Sequence, residues 1–550
     1  MKVALGTPTM PPFANGPTHL RGEKKFQKKA HEELENVTKR RNLHYATTTI
    51  RVKRQNVVNE LDDWQDLREA GSAIKRDVAA RMPELLEQFE RNVTARGGHV
   101  HWARDSKEAN EIIQELVKAT GEEQVVKIKS MATQEIALNE ELDKAGIFAQ
   151  ETDLAELIVQ LGEDFPSHIL VPAIHRNRAE IRDIFVDKMP NTDDTLTQEP
   201  AELAEAARQY LREQFMKAKV AISGVNFGVA ETGTVSIVES EGNGRMCLTL
   251  PETLITVMGI EKLVPKYEDL GVMFQLLPRS STGERMNPYT SLWTGVTEGD
   301  GPQNFHIVLI DNGRTAALSS EIGREALKCI RCSACLNVCP VYERAGGHSY
   351  GSTYPGPIGA ILTPQLTGIE DSDDPNGSLP YASSLCGRCD EVCPVKIPIT
   401  DILLELRYQK AKNEPARAEK AAFGTISTMW GNPTLWNRAV RMVALGRVLG
   451  GFNGVIESAP FPVSGWTEFR DVAVPPKKSF RQWWDSDEAQ ELLADARAKG
   501  VPNQPPVTDE AKDGVQNHED EHLHNGGHHY SQDADVDSTK LSNETEEEGK

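Results

Sequence analysis

The fold of this chain is organised around one short stretch, residues 329–340, which reads CIRCSACLNVCP. Its four cysteines follow the spacing C-x2-C-x2-C-x3-C-P, which is typical of bacterial ferredoxins. In that pattern the first three thiolates wrap one iron–sulfur cluster, and the fourth points toward a second cluster. The proline that follows ends the local helix, since it lacks a backbone N–H donor. The stretch therefore predicts the binding of iron–sulfur clusters.

A second cysteine stretch lies at residues 386–394 and reads CGRCDEVCP. It repeats the first pattern without the leading cysteine, and counting back three residues places Ser383 at that position. Zinc is the competing interpretation, but tetrahedral zinc sites usually draw on two separated pairs of cysteine or histidine. The spacing therefore favours iron–sulfur clusters over a zinc-stabilised interaction module.

The spacing also predicts which cysteines share a cluster, because the last cysteine of each stretch ligates the cluster of the other. The first cluster is predicted to have four cysteine ligands: Cys329, Cys332, Cys335 and Cys393. The second is predicted to have only three: Cys339, Cys386 and Cys389. Its fourth iron binds Ser383, water, a partner or a substrate, or is absent as in a three-iron cluster. Alternatively, Ser383 is a plain hydroxyl at a loop or a helix cap.

The composition is that of an ordinary soluble globular protein. The 550 residues are 39% apolar and 26% charged, and their number suffices for about three domains. The net charge of −21 argues against nucleic acid as a partner, because phosphate binding needs a basic face. The first residues, MKVALGTPTMPPF, are too poor in apolar side chains for a signal peptide. We therefore predict a cytoplasmic protein whose clustered cysteines bind metal rather than form disulfides.

Two further segments bear on location and on the C-terminal end. No run of about 18 apolar residues occurs, so no transmembrane helix is predicted. Residues 435–456 are apolar with arginines at helical intervals, and this segment either packs on its own protein, docks a partner or lies peripherally at the inner face of the membrane. Residues 505–550 hold 13 acidic residues against 3 lysines, which predicts a disordered acidic tail. Its histidines either bind metal loosely or are simply solvated.

The hydrophobic periodicity predicts a multidomain chain of the α/β plus α class. Short β-type runs, among them 124–128 and 168–172, alternate with helical patterns, which indicates a mostly parallel sheet covered by helices. The predicted parts are a helical N-terminal region at 1–95, the α/β domain at 96–315, an α-helical ferredoxin-like two-cluster domain at 320–408, a helical C-terminal domain at 409–503 and the disordered, histidine-containing tail at 504–550.

Two glycine-rich turns in the α/β region are candidates for a substrate pocket. Residues 231–234 read ETGT and residues 241–245 read EGNGR, and such loops at strand ends often bind anions through backbone N–H groups. Arg245 could pair with a carboxylate, and Glu231 could serve as a base. Alternatively, the glycines only permit tight turns and Glu231 is solvated. His348, between the cysteine stretches, either tunes a cluster by a hydrogen bond or is structural. No dinucleotide fingerprint is found, so no nucleotide cofactor is predicted.

Several motifs together resemble the lactate-utilisation protein B family, the iron–sulfur proteins of bacterial L-lactate oxidation. Besides the first cysteine stretch, the motifs are SGVNFGVAETGT at 223–234, EGNGR at 241–245, YPGPIG at 354–359 and LCGRCDEVCPVKIP at 385–398. The resemblance spans roughly residues 30–490, and the tail departs from the family pattern.

This resemblance implies two [4Fe-4S] clusters on the seven cysteines of the two stretches, with the cross-ligation given above. It implies an α/β domain similar in fold to ribose-5-phosphate isomerases and CoA transferases. It also implies electron transfer in an L-lactate-oxidising complex that allows growth on lactate. Two partners are expected, a cysteine-rich-motif protein and a smaller protein with the same lactate-utilisation domain. The alternative function is a self-sufficient oxidoreductase with a substrate pocket in the α/β domain.

Overall fold

The computed structural model describes residues 12–190, 192–369, 374–413, 417–443, 447, 454–459, 464–467 and 470–500. The chain divides into two compact units, with the boundary between residues 416 and 417. The predicted α/β and two-cluster regions belong to the same unit, while the predicted tail at 504–550 lies outside the described residues.

Three helices open the first unit: α1 Phe26–Glu33, α2 Val37–Val58 and α3 Trp64–Thr94. Asn36 begins α2 by accepting a hydrogen bond from the backbone N–H of Lys39, as N-cap asparagines commonly do. The buried face of α3 carries apolar side chains at helical spacing, including Val78, Leu85 and Phe89. The helical prediction for this region therefore agrees with the structure.

A parallel sheet forms the centre of the first unit. Its strands are β1 Gly98–Ala103, β2 Gln124–Lys127, β3 Phe148–Glu151, β4 Val220–Gly224, β7 Thr253–Gly259 and β10 Asn304–Ile310. They lie in the order β1-β10-β7-β4-β2-β3, and every residue of the central β7 is buried. The helices between them are α4 Ser106–Thr120, α5 Met131–Glu135, α6 Leu138–Lys144, α7 Leu154–Leu161, α8 Arg178–Lys188 and α9 Pro200–Lys217. The prediction of a parallel sheet covered by helices is confirmed.

The strand predicted at residues 168–172 is wrong, because this segment is irregular. The Nδ1 atom of His168 accepts hydrogen bonds from the backbone N–H groups of Leu170, at 3.1 Å, and Val171, at 3.0 Å. The other ring nitrogen lies 3.1 Å from Oδ1 of Asn337. A side chain that captures two local backbone donors withdraws them from any strand ladder.

A smaller sheet packs beside the central one. Its strands are β5 Phe227–Val229, β6 Thr234–Glu239, β8 Leu263–Val264 and β9 Tyr289–Trp293. They lie in the order β8-β5-β6-β9, with β6 antiparallel to β5 and β9. The turn between β5 and β6 requires Gly233, since its φ is +71° and a Cβ would lie 2.6 Å from the backbone nitrogen of Val93. The associated helices are α10 Asn243–Thr249 and α11 Asp269–Ser281, with a 3-10 turn at Ile260–Lys262.

The two cysteine stretches lie among short helices. These are α12 Arg314–Leu318, α13 Glu321–Leu327, α14 Ala334–Asn337, α15 Pro340–Ala345, α16 Gly356–Thr367, α17 Arg388–Val392 and α18 Ile399–Asn413, with 3-10 turns at Gly347–Tyr350 and Pro375–Tyr381. Gly356 begins α16 with a φ of +72°, and a Cβ there would lie 2.6 Å from Cγ of Leu336. One apolar core includes Met273 and Leu276 of α11 together with Leu336 and Ile358. The shared core joins the α/β region to the cysteine region.

A buried ion network crosses the same boundary. Arg314, directly after β10, makes two hydrogen bonds of 2.9 Å to the carboxylate of Glu135 and one of 2.5 Å to Oε2 of Glu261. Glu261 also accepts a 3.1 Å bond from Arg331, which lies between the first two cysteines. The Tyr354 hydroxyl donates to Glu135 at 2.6 Å. Burial would raise the pKa of Glu261, but Arg314 and Arg331 lower it to about 2, so it stays ionised at neutral pH.

The second unit contains helices α19 Arg417–Trp430, α20 Pro433–Val443, α21 Ser464–Thr467, α22 Phe480–Trp484 and α23 Asp487–Ala498, and the strands β11 Val455–Ile456 and β12 Val472–Ala473. β11 and β12 are antiparallel. Within the part of the chain that the structure describes, no helix is both long and apolar enough to span a bilayer. The segment 435–456 is only partly described, and a peripheral place at the membrane stays a prediction.

Replacing Arg314 by methionine should lower the free energy of unfolding by about 3–5 kcal/mol, because it leaves the buried carboxylates of Glu135 and Glu261 without their partner. Urea denaturation of the full chain measures the effect. Arg285→Met is the matched control, since the pair of Arg285 with Glu60 is exposed and its loss should change stability by about 1 kcal/mol or less. Equal losses in the two variants would contradict a stabilising role for the network.

Candidate metal centre

Four cysteines surround one cavity between the two stretches. Cys329, Cys332, Cys335 and Cys393 all line it, and apolar side chains such as Val395 complete its wall. Cys393 therefore joins the three leading cysteines of the first stretch, although it is the last cysteine of the second. Cys329 is half-buried and the other three are buried, which keeps bulk water away from the thiols.

Left-handed backbone turns direct amide groups at these sulfur atoms. Arg331 has a φ of +62°, and its N–H points at Sγ of Cys329 over 3.4 Å. Lys396 has a φ of +49°, and the next residue, Ile397, donates its N–H to Sγ of Cys393 over 3.3 Å. Such N–H donors stabilise a negative thiolate, and hydrogen bonds to sulfur help to set cluster potentials.

The other three cysteines of the stretches form a second group. Burial raises the pKa of Cys339 to about 11, although backbone N–H groups of Tyr342 and Val341 lower it, and the thiol of Cys386 adds a smaller increase. Burial also raises the pKa of Cys389, with contributions from Asp390, Cys339 and Cys386. The thiols of Cys339 and Cys386 both disfavour the charged form of Cys389, as neighbouring thiols do. Cys386 is exposed, whereas Cys339 and Cys389 are buried, so this group reaches the protein surface.

A buried hydroxyl supports a cluster between these groups. The Tyr350 hydroxyl has no hydrogen-bond partner among the described residues. Burial raises its pKa, and the nearby thiol of Cys339 and the phenol of Tyr342 add to the increase. An unpaired buried hydroxyl is costly, and an iron–sulfur cluster would offer it a sulfur acceptor. The donor set of seven thiols, N–H groups directed at sulfur and the unpaired hydroxyls of Tyr350 and Ser333 therefore fits iron–sulfur clusters.

Two arginines of the N-terminal helices reach the first group, which the sequence did not predict. Arg54 of α2 donates to the backbone oxygen of Val392 at 3.0 Å, and Arg68 of α3 donates to that of Cys393 at 2.9 Å. Burial lowers the pKa of Arg54, but the nearby thiols of Cys332 and Cys393 favour its charged form. One signal was present in the sequence: Arg68 falls on the buried stripe of α3, where a charge requires a partner.

Ser383 and His348 both have local roles in the structure. The Ser383 hydroxyl accepts a 3.1 Å hydrogen bond from the backbone N–H of Leu385, as expected for a hydroxyl that stabilises a loop. A role for Ser383 as a cluster ligand stays a prediction. The ring of His348 is occupied on both sides, by Nζ of Lys39 at 2.9 Å and by the backbone oxygen of Phe165 at 2.7 Å. These contacts favour the structural interpretation of His348.

The two predicted catalytic candidates do not form one pocket. Glu231 precedes β6 and accepts a 2.9 Å bond from the backbone N–H of Tyr267. Arg245 follows the other end of β6, where its guanidinium lies 5.4 Å from the ring centre of Tyr289. A strand of six residues spans roughly 20 Å, so these side chains lie at opposite ends of the small sheet. The shared pocket expected for them is therefore wrong, and a catalytic role for either residue stays a prediction without support from this geometry.

Comparisons with known proteins agree with this geometry. The family model of the LUD domain matches residues 86–310, and that of the 4Fe-4S dicluster domain matches residues 325–397. The lactate utilization protein B of Oceanobacillus iheyensis is 42% identical over 469 residues, which cover 84% of this chain and 96% of that protein. The chain belongs to the lactate utilization protein B family. Its relative from Bacillus licheniformis, of the same name, is 41% identical over 470 residues, covering 84% of this chain and 97% of the relative.

The family assignment decides between the two metals considered above. The dicluster match includes all seven cysteines of the two stretches, which supports iron–sulfur clusters rather than zinc, and a pair of clusters is consistent with it. A crystal structure of a DUF162 family protein from Deinococcus radiodurans covers 42% of this chain and 98% of its own, at 13% identity and a TM-score of 0.24. That score is too low to support an argument about the fold.

Replacing Arg54 by methionine should lower the reduction potential of a cluster bound by the first group. One positive charge lost at an effective dielectric constant near 20 corresponds to about 1–2 kcal/mol, or ~40–80 mV for one electron. Potentiometric EPR titration of the purified protein measures the shift. Arg54→Lys keeps the charge and is the matched control, with an expected change of less than about 20 mV. Equal potentials in all three proteins would contradict an electrostatic role for Arg54.

Proposed function

We propose that this chain carries electrons through two [4Fe-4S] clusters in a complex that oxidises L-lactate to pyruvate and thereby allows growth on lactate. The proposal rests on one observation: of the two thiol groups, one is enclosed by protein and the other is exposed to solvent. The first group is enclosed, and the second reaches the surface at Cys386. An enclosed and an exposed redox centre side by side form a route from the protein interior to a partner.

The proposed ligands follow the two thiol groups. Cys329, Cys332, Cys335 and Cys393 would hold the first cluster. Cys339, Cys386 and Cys389 would hold the second, whose fourth iron is left for Ser383, water or a partner. Bound clusters supply one-electron storage at potentials that the surrounding hydrogen bonds and charges set. The chain itself positions the thiolates, excludes water from the first group and places Arg54, Arg68 and Arg331 beside it.

The proposed partners are a cysteine-rich-motif protein and a smaller protein with a LUD domain, with no role for nucleic acid. The exposed Cys386 marks the surface at which a redox partner would approach. We also propose that the α/β domain shares the fold of ribose-5-phosphate isomerases and CoA transferases, in agreement with its parallel sheet and intervening helices. A self-sufficient oxidoreductase is the alternative, and it requires a substrate site within this chain.

Cross-ligation predicts a specific pattern of iron loss in cysteine-to-serine variants. Cys329→Ser and Cys393→Ser should each lose about four of roughly eight irons, and the double variant should lose no more, because both residues ligate the same cluster. Combining Cys329→Ser with Cys339→Ser should remove nearly all iron. Iron and acid-labile sulfide analysis after anaerobic reconstitution measures the loss.

The matched control for this series is Cys247→Ser, whose thiol is buried beside Thr152 and away from both groups. It should keep about eight irons. Loss of nearly all iron in the Cys329/Cys393 double variant would show that the two cysteines belong to different clusters, against the proposal.

Electron transfer is tested with the complex purified anaerobically from cells that grow on lactate. L-lactate should reduce the clusters of this chain, as followed by EPR, while D-lactate serves as the stereochemical control. The purified chain alone should not oxidise L-lactate with a dye acceptor. Rapid oxidation by the chain alone would favour the self-sufficient oxidoreductase, and clusters that L-lactate leaves oxidised in the complete complex would contradict the proposed function.

A further inference from the structure

A second cavity, of about 230 Å³, lies at the carboxyl ends of the central strands. Lys129 follows β2, Gly224 ends β4, and Lys262 follows β7, and all three residues line it. Arg314 and Arg331 also line it, and Arg331 belongs to the first cysteine stretch. Ligands of open α/β sheets bind preferentially at this edge of the sheet. At about 30 Å³ per water molecule, the cavity has room for on the order of seven waters, which suits a small organic molecule.

The carboxylates of this cavity are already occupied. Glu239 accepts hydrogen bonds from three backbone N–H groups at the start of α10, at 2.8 to 3.1 Å. Glu241 accepts from the backbone of Leu154 at 2.9 Å, and Asp153 from that of Lys129 at 2.7 Å. Glu261 is held by the buried arginines. The acidic residues therefore stabilise the walls and offer little to a cation.

The cations, in contrast, leave donors unused. The side-chain Nζ of Lys262 makes no hydrogen bond and no ion pair with any other residue that the structure describes, although Lys262 lines the cavity. Burial, followed by the charge of Arg331, lowers its pKa to about 7. The Nε atom of Arg331 and the hydroxyl of Thr282, which both line the cavity, are buried without partners, and so is one acceptor, Oδ1 of Asn287. With a pKa of about 7 the lysine is only partly protonated at neutral pH, and an anion beside it would stabilise the ammonium form and pair the free N–H of Arg331.

Arg331 connects this cavity to the first thiol group. Its side chain lines both cavities, and its Nη1 atom donates to the backbone oxygen of Cys329 at 3.2 Å. Its Nη2 atom is bound to Glu261, and its guanidinium lies 4.7 Å from the ring centre of Tyr354. A negative charge placed in the cavity would thus act on the first group across a single side chain.

We infer that this cavity is a binding site for a small carboxylate anion, with Lys262 as its charge partner, next to the first thiol group. The site itself rests on the unpaired donors and the volume. The choice of a 2-hydroxy acid or a 2-oxo acid as its occupant rests on the proposed function. The inference concerns binding and includes no chemical step.

The test uses the full chain with its clusters, reconstituted anaerobically and checked for iron content. Isothermal titration calorimetry at constant ionic strength compares L-lactate, pyruvate, acetate and inorganic phosphate. At least one of lactate and pyruvate should bind with a stoichiometry near one, and more tightly than phosphate. Lys262→Met should weaken this binding about ten- to hundredfold, as expected for the loss of a charged hydrogen-bond partner. Lys262→Arg keeps the charge and should retain most of the affinity.

Two further variants keep the test decisive. Lys266→Met changes a nearby exposed lysine that pairs with Glu268, and it should leave binding unchanged. Asn287→Asp adds a negative charge to the cavity wall without changing the size of the side chain, and it should weaken binding even if Lys262→Met does not fold. As a second readout, the bound acid should shift the EPR signal of the dithionite-reduced protein, but not that of Asn287→Asp.

Three results would overturn the inference: no binding by protein of full iron content, equal binding by wild type and both cavity variants, or phosphate binding as tightly as the acids. Binding of pyruvate but not lactate, or the reverse, would support the site and identify its occupant. Calorimetry measures binding without turnover. A positive result would therefore support the binding site even if L-lactate failed to reduce the clusters in the complex. Conversely, reduction of the clusters in the complex without binding to this chain would reject the site and leave the proposed function intact.

Discussion

The architecture depends on the placement of one buried arginine between two carboxylates. Arg314 has only 1% of its surface exposed, and its guanidinium is shared by Glu135 and Glu261, which follow different strands. Such charges are tolerable only when each has its partner, because the desolvation of an unpaired ion costs several kcal/mol. Glu261 has a second partner in Arg331, which belongs to the first cysteine stretch. The carboxylate that follows β7 is therefore fully paired only when the cysteine stretch packs against the sheet. This requirement explains why the α/β region and the cysteine region form one compact unit.

The sequence predicts the chemistry of the site better than its surroundings. Cysteine spacing is a local property, and it predicted the four cysteines that line one cavity, Cys393 among them. The corresponding exchange of Cys339 stays a prediction. The positive environment of the first group is not local, since Arg54 lies 338 residues from its partner Val392. Periodicity likewise predicted the parallel sheet, but it misassigned residues 168–172, where a histidine side chain competes for backbone donors.

Proximity in sequence was a poor guide to the substrate pocket. Glu231 and Arg245 are only 14 residues apart, yet a full strand separates them. The cavity at the carboxyl ends of the central strands draws Lys129, Lys262 and Arg331 from three distant parts of the chain. None of these residues stands out in the sequence, because the unpaired donors of Lys262 and Arg331 are recognisable only after the partners of all their neighbours are known.

The exposure of Cys386 also has a consequence for the sensitivity of the protein to oxidation. Oxidants in solution meet this thiol before they reach the enclosed ones, and an accessible thiolate is the first to enter the path to sulfenic acid and beyond. Oxidation would therefore begin at the second thiol group, which contains Cys386, and would reach the enclosed first group later.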